Sequence, residues 1–248
     1  MRGSEILHRV RTAASLTQPR QLALRGFRCP MCGPSLIVRL SASDIGVRCV
    51  RCAASAMTLS LACALKELHP GLGSEDVYEL SSRGPLFEFL RREVPRLTFS
   101  EYFDDVEPGA LRGSVQCQDV QRLTFDDESF DVVTSTGVFE HVADDARGFR
   151  EVRRVLRPAG IFVFTVPLSD ADETVERARM RNGVVEHLLP PEYHGDRIRG
   201  RGRVLAYRNY GRDIIGRLRN CGFGSAEIDW RFRTAFLGQG SGVVVARI

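Results

Sequence analysis

The sequence predicts a doubly wound α/β domain with a mainly parallel sheet, preceded by a small metal-binding module. Short apolar runs recur after residue 75, and amphipathic helical segments lie between several of them, which predicts the α/β class. Two Cys-x-x-Cys pairs in the first quarter of the chain predict the module. The 248 residues suffice for one ordinary α/β domain and a module too small to have a core of its own.

Composition and charge describe an ordinary folded chain. Hydrophobic residues make up 43% and charged residues 27% of the sequence, as in globular proteins. No apolar run approaches the ~18–20 residues of a membrane helix, and Met1 to Arg11 lack the apolar stretch of a secretory signal. We therefore expect a cytoplasmic chain without membrane contact. The net charge of +4 is small for a dedicated nucleic-acid binder, so nucleic acid is the less favoured partner.

The paired cysteines predict one zinc site. Thiolates are soft ligands that zinc binds as a tetrahedron, and a hairpin can bring two pairs together. Residues 36–40 and 45–48 are the predicted strands of that hairpin, and Gly33 permits the positive φ that follows such a pair. Four cysteines close the coordination sphere, so we expect structural Zn²⁺ rather than a catalytic metal. Sixteen residues separate the two pairs of expected ligands, which are Cys29, Cys32, Cys49 and Cys52.

Seven strands and four helices are predicted in the rest of the chain. The strands are residues 76–80, 96–100, 115–117, 130–134, 161–166, 226–230 and 242–246. The helices are residues 62–69, 86–93, about 144–156 and 210–220, and the turn at 157–160 ends the third. The predicted organisation is a helical, basic segment at 1–25, a zinc ribbon at 26–58, and the α/β domain at 59–248 with a lid-like insertion at about 168–208.

Two stretches in the second half of the chain carry a family resemblance. Residues 119–142 read DVQRLTFDDESFDVVTSTGVFEHV, and residues 151–162 read EVRRVLRPAGIF. They resemble class I S-adenosylmethionine-dependent methyltransferases of the type 11 group, in which an E-H-V/L step follows the fourth strand and an R-V-L-K-P-G-G turn enters the fifth. The resemblance covers roughly residues 74–248 and implies a Rossmann-like sheet and S-adenosylmethionine as cofactor. The family's first loop reads E-I/L-G-x-G-x-G, whereas residues 79–85 here read ELSSRGP.

Position by position, the resemblance implies a cofactor site at the strand ends. It assigns Glu79 to the methionine end of the cofactor, Glu101 to the ribose hydroxyls and Asp119 to the adenine amino group. Tyr102 or Phe103 is expected to pack on the adenine. The expected cofactor-binding residues are Glu79, Leu80, Ser81, Ser82, Gly84, Glu101, Tyr102, Asp119, Val120, Ser135, Thr136 and Gly137.

Two histidines are candidate catalytic bases, needed only if the acceptor must lose a proton. His141 follows the fourth strand, on the side where open sheets bind ligands. His194 lies in the long insertion, where the resemblance places acceptor recognition, and Glu192 and Tyr193 are further acceptor-binding candidates. An Asn/Asp-Pro-Pro-Tyr/Phe sequence does not follow the fourth strand, which weakens methylation of an amide or nucleobase nitrogen.

Three functions stay open. The leading interpretation is O- or N-methylation of a small-molecule or saccharide-like acceptor. The first alternative is an RNA base methyltransferase, with the ribbon and the many arginines holding phosphates. The second is a non-catalytic zinc-binding scaffold with an altered cofactor loop. The sequence favours no particular oligomeric state.

Overall fold

The computed structural model describes residues 17–195 and 202–248, which form four α-helices and seventeen strands. The helices are α1 (Ala56–Leu68), α2 (Pro85–Glu93), α3 (Asp145–Val155) and α4 (Ile214–Asn220). The strands are β1 (Ala23–Cys29), β2 (Gly33–Arg39), β3 (Val47–Cys49), β4 (Asp76–Glu79), β5 (Arg96–Glu101), β6 (Leu111–Arg112), β7 (Val115–Cys117), β8 (Phe130–Thr136), β9 (Leu156–Thr165), β10 (Val175–Glu176), β11 (Ala178–Arg181), β12 (Val184–His187), β13 (Glu192–Gly195), β14 (Arg203–Ala206), β15 (Arg208–Asn209), β16 (Ser225–Asp229) and β17 (Val243–Arg247).

An eight-stranded mixed sheet is the main structural element, in the order β16-β17-β9-β8-β4-β5-β7-β6. The five strands from β9 to β7 in this order are parallel, and β16, β17 and β6 pair antiparallel with their neighbours. The predicted α/β class is confirmed, but the count of seven strands is wrong. The extra strand is the short edge strand β6, which a two-residue turn at Gly113 and Ser114 folds back onto β7. Gly113 has φ +63°, a conformation that favours glycine.

Helices cover both faces of the sheet, as a doubly wound arrangement requires. Adjacent strand residues point to opposite faces, so Val77 packs with α1 and α2 while Tyr78 packs with α3 and α4. The same alternation separates Val132 from Val133 in β8. Because both faces are apolar, the central strands read as near-continuous hydrophobic runs.

The cysteine-bearing hairpin packs on the main sheet through α1. Strands β1, β2 and β3 form their own antiparallel sheet, and buried Ile37 and Val47 join one hydrophobic cluster with Leu59 of α1 and Val163 of β9. Strand β1 was not among the predicted strands. Glycine and two arginines break its apolar pattern, and Cys29 is its one fully buried residue. The helical segment predicted at 1–25 lies outside the described residues up to residue 16, and a 3-10 turn at Pro19–Gln21 precedes β1.

The largest boundary differences from the predictions lie at α1, at α4 and at the start of β9. Helix α1 begins at Ala56 rather than residue 62, since the Ser55 hydroxyl caps it by accepting from the Thr58 N–H. Helix α4 begins at Ile214 rather than residue 210. The predicted turn at 157–160 lies inside β9, where Ala159 takes φ +66° at an irregularity in the pairing with β8.

The described residues of the insertion at 168–208 form three short antiparallel strand pairs. β10 pairs with β15, β11 with β12, and β13 with β14. The Tyr207 N–H also donates to the Glu140 carbonyl, which ties the insertion to the segment after β8. Among the described residues, every helix is too short or too polar to span a lipid bilayer.

Candidate functional site

Four cysteine sulfurs meet between β1, β2 and the turn after β3. Cys29 Sγ lies 3.8 Å from Cys52 Sγ, and Cys32 Sγ lies 3.6 Å from Cys49 Sγ. All four sulfurs lie within 4.8 Å of one another. A zinc–thiolate tetrahedron with bonds of about 2.3 Å has sulfur–sulfur edges of roughly 3.8 Å, so the spacing fits zinc. Gly33 takes φ +79° after the first pair, as its position predicts.

Close contact between the thiols shifts pKa values at this cluster in opposite directions. The hydrogen bond with Cys52 lowers the pKa of Cys29 to about 5. Burial and the neighbouring sulfurs raise the pKa of Cys32 to about 12. The hydrogen bond with Cys29 and burial raise the pKa of Cys52 well above that of an ordinary thiol. A divalent cation would favour the thiolate form of all four side chains. The residues present therefore fit a closed, four-thiolate metal site.

The parallel strands end in two buried carboxylates on adjacent strands. Glu79 ends β4 and accepts a hydrogen bond from the Thr134 hydroxyl of β8. Burial raises the pKa of Glu79 to about 8. Glu101 ends β5, and burial raises its pKa as well. Carboxyl ends of parallel strands form the ligand-binding edge of open α/β sheets, so both side chains lie where a ligand is expected.

The loop after β4 is connected directly to Glu101. Glu101 Oε2 accepts from Ser82 N at 3.3 Å and from Ser82 Oγ at 3.1 Å. Gly84 follows with φ +97° and is the N-cap of α2, whose first residue is Pro85. The altered loop therefore keeps a tight turn at Gly84, although Ser81 and Arg83 stand where the family pattern has its first two glycines.

Buried hydroxyls without partners cluster at the ends of β8 and β9. Ser135 Oγ, Thr136 Oγ1 and Thr165 Oγ1 have no hydrogen-bond partner among the described residues. Gly137 follows with φ +62°, and its N–H donates to the Thr165 carbonyl. Unsatisfied buried hydroxyls are uncommon and favour a bound polar group. Thr134, the residue before Ser135, pairs with Glu79, so these hydroxyls lie at the same end of the sheet as Glu79.

Tyr102 and Phe103, the two residues predicted to pack on the adenine, differ in solvent exposure. Tyr102 is exposed, whereas Phe103 is buried under the Arg112 guanidinium, whose carbon lies 4.4 Å from the ring centroid. Tyr102 is therefore the more accessible of the two. Asp119 follows β7, and its Oδ1 accepts from Gln121 N at 2.9 Å and from Gln121 Nε2 at 3.0 Å. Val120 is buried beside Gly148 of α3 rather than lying open at the edge.

The two candidate bases lie against each other, around a buried carboxylate. The rings of His141 and His194 have centroids 4.9 Å apart at an interplanar angle of 85°. Glu140 Oε1 lies 3.7 Å from His141 Nε2 and 3.8 Å from His194 Nδ1. Burial raises the pKa of Glu140 to about 8. Sequence reasoning named both histidines separately but gave no role to Glu140, although it belongs to the quoted E-H-V step.

Arg208 holds this cluster in place and was not predicted. Its guanidinium donates to the carbonyls of Phe139, in the 3-10 turn that contains Glu140, and of Val142 and Ala143, which follow that turn. Asp145 and other acidic groups surround the guanidinium, which is only 4% exposed. A lone arginine in a polar segment carries no sequence signal for such a role.

The predicted acceptor residues lie on β13. Glu192 Oε1 lies 3.1 Å from His194 Nε2, and Glu192 Oε2 lies 3.2 Å from Arg177 Nε. Tyr193 is exposed, and the Arg203 guanidinium carbon lies 4.5 Å from its ring centroid. Glu192 and His194 thus reach the Glu140 cluster, whereas Tyr193 lies at the surface.

A family model described as a methyltransferase domain matches residues 82–164. The matched segment contains Glu101, Asp119 and the Glu140–His141 turn. The four cysteines and residues 192–194 lie outside it. The match supports the resemblance that the sequence stretches carry.

Two curated relatives match parts of the chain. The glycine/sarcosine/dimethylglycine N-methyltransferase of Actinopolyspora halophila is 35% identical over 78 residues, which cover 32% of this chain and 12% of that protein. An uncharacterized 37.1 kDa protein in transposon TN4556 of Streptomyces fradiae is 36% identical over 89 residues, which cover 30% of this chain and 26% of that protein. The aligned part thus spans about a quarter or less of each of these relatives.

Solved methyltransferase structures are also similar. An S-adenosylmethionine-dependent methyltransferase from Mesorhizobium loti has a TM-score of 0.46 and 19% identity, with 76% of this chain and 98% of that chain covered. The 1,6-didemethyltoxoflavin-N1-methyltransferase of Burkholderia thailandensis, solved with 1,6-didemethyltoxoflavin and S-adenosylhomocysteine bound, has a TM-score of 0.42 and 19% identity. It is covered over 77% of its chain and 76% of this one.

Proposed function

We propose that this chain is an S-adenosylmethionine-dependent methyltransferase with a structural zinc ribbon. The observation that carries the proposal is the buried carboxylate of Glu101, which ends β5 and faces the loop after β4 within the segment that matches a methyltransferase domain. A carboxylate at this strand end suits the two ribose hydroxyls of a nucleoside cofactor, since it accepts two hydrogen bonds. S-adenosylmethionine, when bound, supplies a methyl group already activated on a sulfonium.

The chain's own residues would bind and orient the cofactor. Glu101 would exchange its hydrogen bonds with Ser82 for bonds to the ribose. Glu79 and the loop backbone would hold the methionine end, where the positive amino group would favour an ionised Glu79. The unpartnered hydroxyls of Ser135 and Thr136 are donors and acceptors beside Gly137. Positioning accounts for much of the rate enhancement when the methyl group is already activated.

We propose a small-molecule or saccharide-like acceptor that receives the methyl group on oxygen or nitrogen. The insertion supports this proposal. Its paired strands β13 and β14 place His194 beside His141, in the turn after β8. His141 and His194 would act as bases for an acceptor that loses a proton. An RNA acceptor predicts instead a binding curve for RNA fragments that weakens steeply with salt.

The cysteine cluster is proposed to hold one structural Zn²⁺. The sulfur spacing supports this role, as does the shared core between the hairpin and α1. Four thiolates leave no open coordination position, so the zinc would stabilise the fold without contacting the acceptor.

Calorimetric titration of the full chain with S-adenosylhomocysteine tests the proposed function. We expect one site per chain and an affinity at least about tenfold lower in Glu101→Gln, since removing a charged hydrogen-bond acceptor costs about 1.5–3 kcal/mol. Glu107→Gln is the matched control, because Glu107 is exposed and meets Arg122 only at 3.8 Å. Absence of binding in folded, zinc-loaded wild-type protein would favour the scaffold interpretation.

A further inference from the structure

Glu140, His141 and His194 bring three potential metal-ligand atoms together, outside the four-cysteine site. One ligand atom from each of Glu140, His141 and His194 lies within 4.8 Å of the other two. Glu140 and His141 belong to the 3-10 turn Phe139–His141 after β8, and His194 belongs to β13. Two segments that are distant in sequence thus supply one compact set of nitrogen and oxygen donors.

Hydrogen bonds on the far side of each ring fix which nitrogen faces the centre. His141 Nδ1 lies 2.8 Å from the Leu205 carbonyl, which accepts only, so Nδ1 carries the proton in a neutral ring. His194 Nε2 lies 3.1 Å from a Glu192 carboxylate oxygen, which places its proton on Nε2. In these tautomers His141 Nε2 and His194 Nδ1 present lone pairs toward Glu140. A carbonyl or carboxylate behind the distal nitrogen is the usual second shell of a metal-bound histidine.

Glu140 adds an independent observation. The residue is 3% exposed, and its Oε2 has no hydrogen-bond partner among the described residues. A buried carboxylate oxygen without a donor is costly. A cation placed between the three side chains would offset this cost.

We propose that Glu140, His141 and His194 form a second metal site, which binds a divalent first-row transition cation. Two imidazoles and one carboxylate are a ligand set typical of such cations. Ligand bonds of about 2.1 Å give tetrahedral edges of roughly 3.4 Å. The two carboxylate–imidazole distances of 3.7 and 3.8 Å exceed that edge by a few tenths of an ångström, and the two imidazole nitrogens lie within 4.8 Å of each other. Arg208 fixes the backbone of the turn, so two of the three ligands are held on a rigid support.

The site has three protein ligands and adjoins the proposed cofactor site. A Cβ on Gly137 would lie 3.4 Å from Glu140 Oε1, so the carboxylate borders one of the expected cofactor-binding residues. Three ligands leave coordination positions open, which accept a water or a substrate oxygen. If the proposed methyltransferase function holds, the ligand class is an acceptor bearing a hydroxyl, which the cation would orient and acidify. With the cation bound, His141 and His194 would serve as its ligands and would not act as bases, and the hydroxyl proton would pass to solvent. The role of the cation toward an acceptor rests on the proposed function, whereas the metal site itself does not.

Titration of the zinc-loaded full chain with Co²⁺ tests the inference. Zinc keeps the thiolates occupied, and Co²⁺ reports its ligands by visible absorption. We expect one Co²⁺ per chain, without the intense thiolate charge-transfer bands, in wild-type protein and in His187→Gln. His187 is the matched control because it is exposed on β12 and outside the cluster. In Glu140→Gln and His194→Gln we expect affinity to fall by at least about 100-fold, since loss of an outer partner alone costs about 10- to 100-fold.

Two further measurements keep other causes apart from the absence of a second metal site. Zinc content and melting temperature report misfolding, and S-adenosylhomocysteine affinity reports the proposed function. His194 is partly exposed, so His194→Gln should keep one zinc per chain and the wild-type melting temperature. S-adenosylhomocysteine affinity, measured on the same samples, tests the proposed function independently of cobalt. Wild-type protein that takes up no Co²⁺, or a His194→Gln variant that binds it as tightly as wild type, would overturn the second site.

Discussion

The two clusters of potential metal ligands differ in how they are built. The four cysteines lie within 24 consecutive residues, and two local turns and one hairpin bring them together. Glu140, His141 and His194 come from a turn after β8 and a strand of the insertion, and a buried arginine holds the turn. Soft thiolates close one sphere, whereas the other offers three harder ligands. The first arrangement suits fold stabilisation, and the second suits a ligand that must enter and leave.

The sharpest way to test this difference is to remove one thiolate. In Cys29→Ser we expect zinc content to fall from one per chain to nearly none. The melting temperature should fall by about 10 °C or more, since zinc binding to a small module is folding free energy. Cys63→Ser, which alters a cysteine of α1 outside the cluster, should keep its zinc. Elemental analysis and thermal melts measure both effects, and full zinc content in Cys29→Ser would refute the ligand assignment.

Removing Arg208 should weaken the cluster of Glu140, His141 and His194 and leave the four-cysteine cluster intact. Arg208→Met leaves three carbonyls without their charged donor, so we expect about 3 kcal/mol lower free energy of unfolding. Co²⁺ affinity should fall about tenfold while zinc content stays at one per chain.

The control for that variant is Arg212→Met. Arg212 is exposed and lies 3.8 Å from the carboxylate of Asp172, which is also exposed, so its change should be within about 0.5 kcal/mol. Denaturant unfolding and cobalt titration supply both readouts. Equal stability and cobalt affinity in the two arginine variants would show that the turn does not depend on Arg208.

The smallest expected effect concerns the pH dependence of stability, and it comes from Glu79, one of the two buried carboxylates at the strand ends. In the folded chain Glu79 holds its proton up to about pH 8, whereas an unfolded glutamate loses it near 4.5. Between these values the folded state binds more protons, so the free energy of unfolding falls as pH rises. Glu79→Gln should flatten that slope by up to about 1.4 kcal/mol per pH unit.

Denaturant unfolding at pH 5, 6 and 7 measures the slope, with Glu107→Gln as the exposed control. Cobalt affinity should be unchanged in Glu79→Gln, because Glu79 is hydrogen-bonded to Thr134 rather than placed in the second cluster. Parallel slopes in wild type and Glu79→Gln would contradict the raised pKa.

The sequence allowed features built from neighbouring residues to be predicted, but not contacts between segments distant in the chain. Spacing and soft-ligand chemistry sufficed to predict the cysteine cluster, and apolar runs sufficed for the parallel strands of the main sheet. The proximity of His141 and His194 depends on β13 pairing with β14 and on the Tyr207–Glu140 hydrogen bond, which no periodicity encodes. Edge strands such as β6 are equally hard to predict, because both of its residues are exposed and carry no alternating pattern.

The position of S-adenosylhomocysteine in a crystal of the zinc-loaded chain grown with Co²⁺ tests the central claim most directly. We predict the ribose at Glu101 and the sulfur beside Gly137, with anomalous cobalt density between Glu140, His141 and His194. A crystal in which the ligand lies away from the ends of β4, β5 and β8, or does not bind at all, would contradict the account.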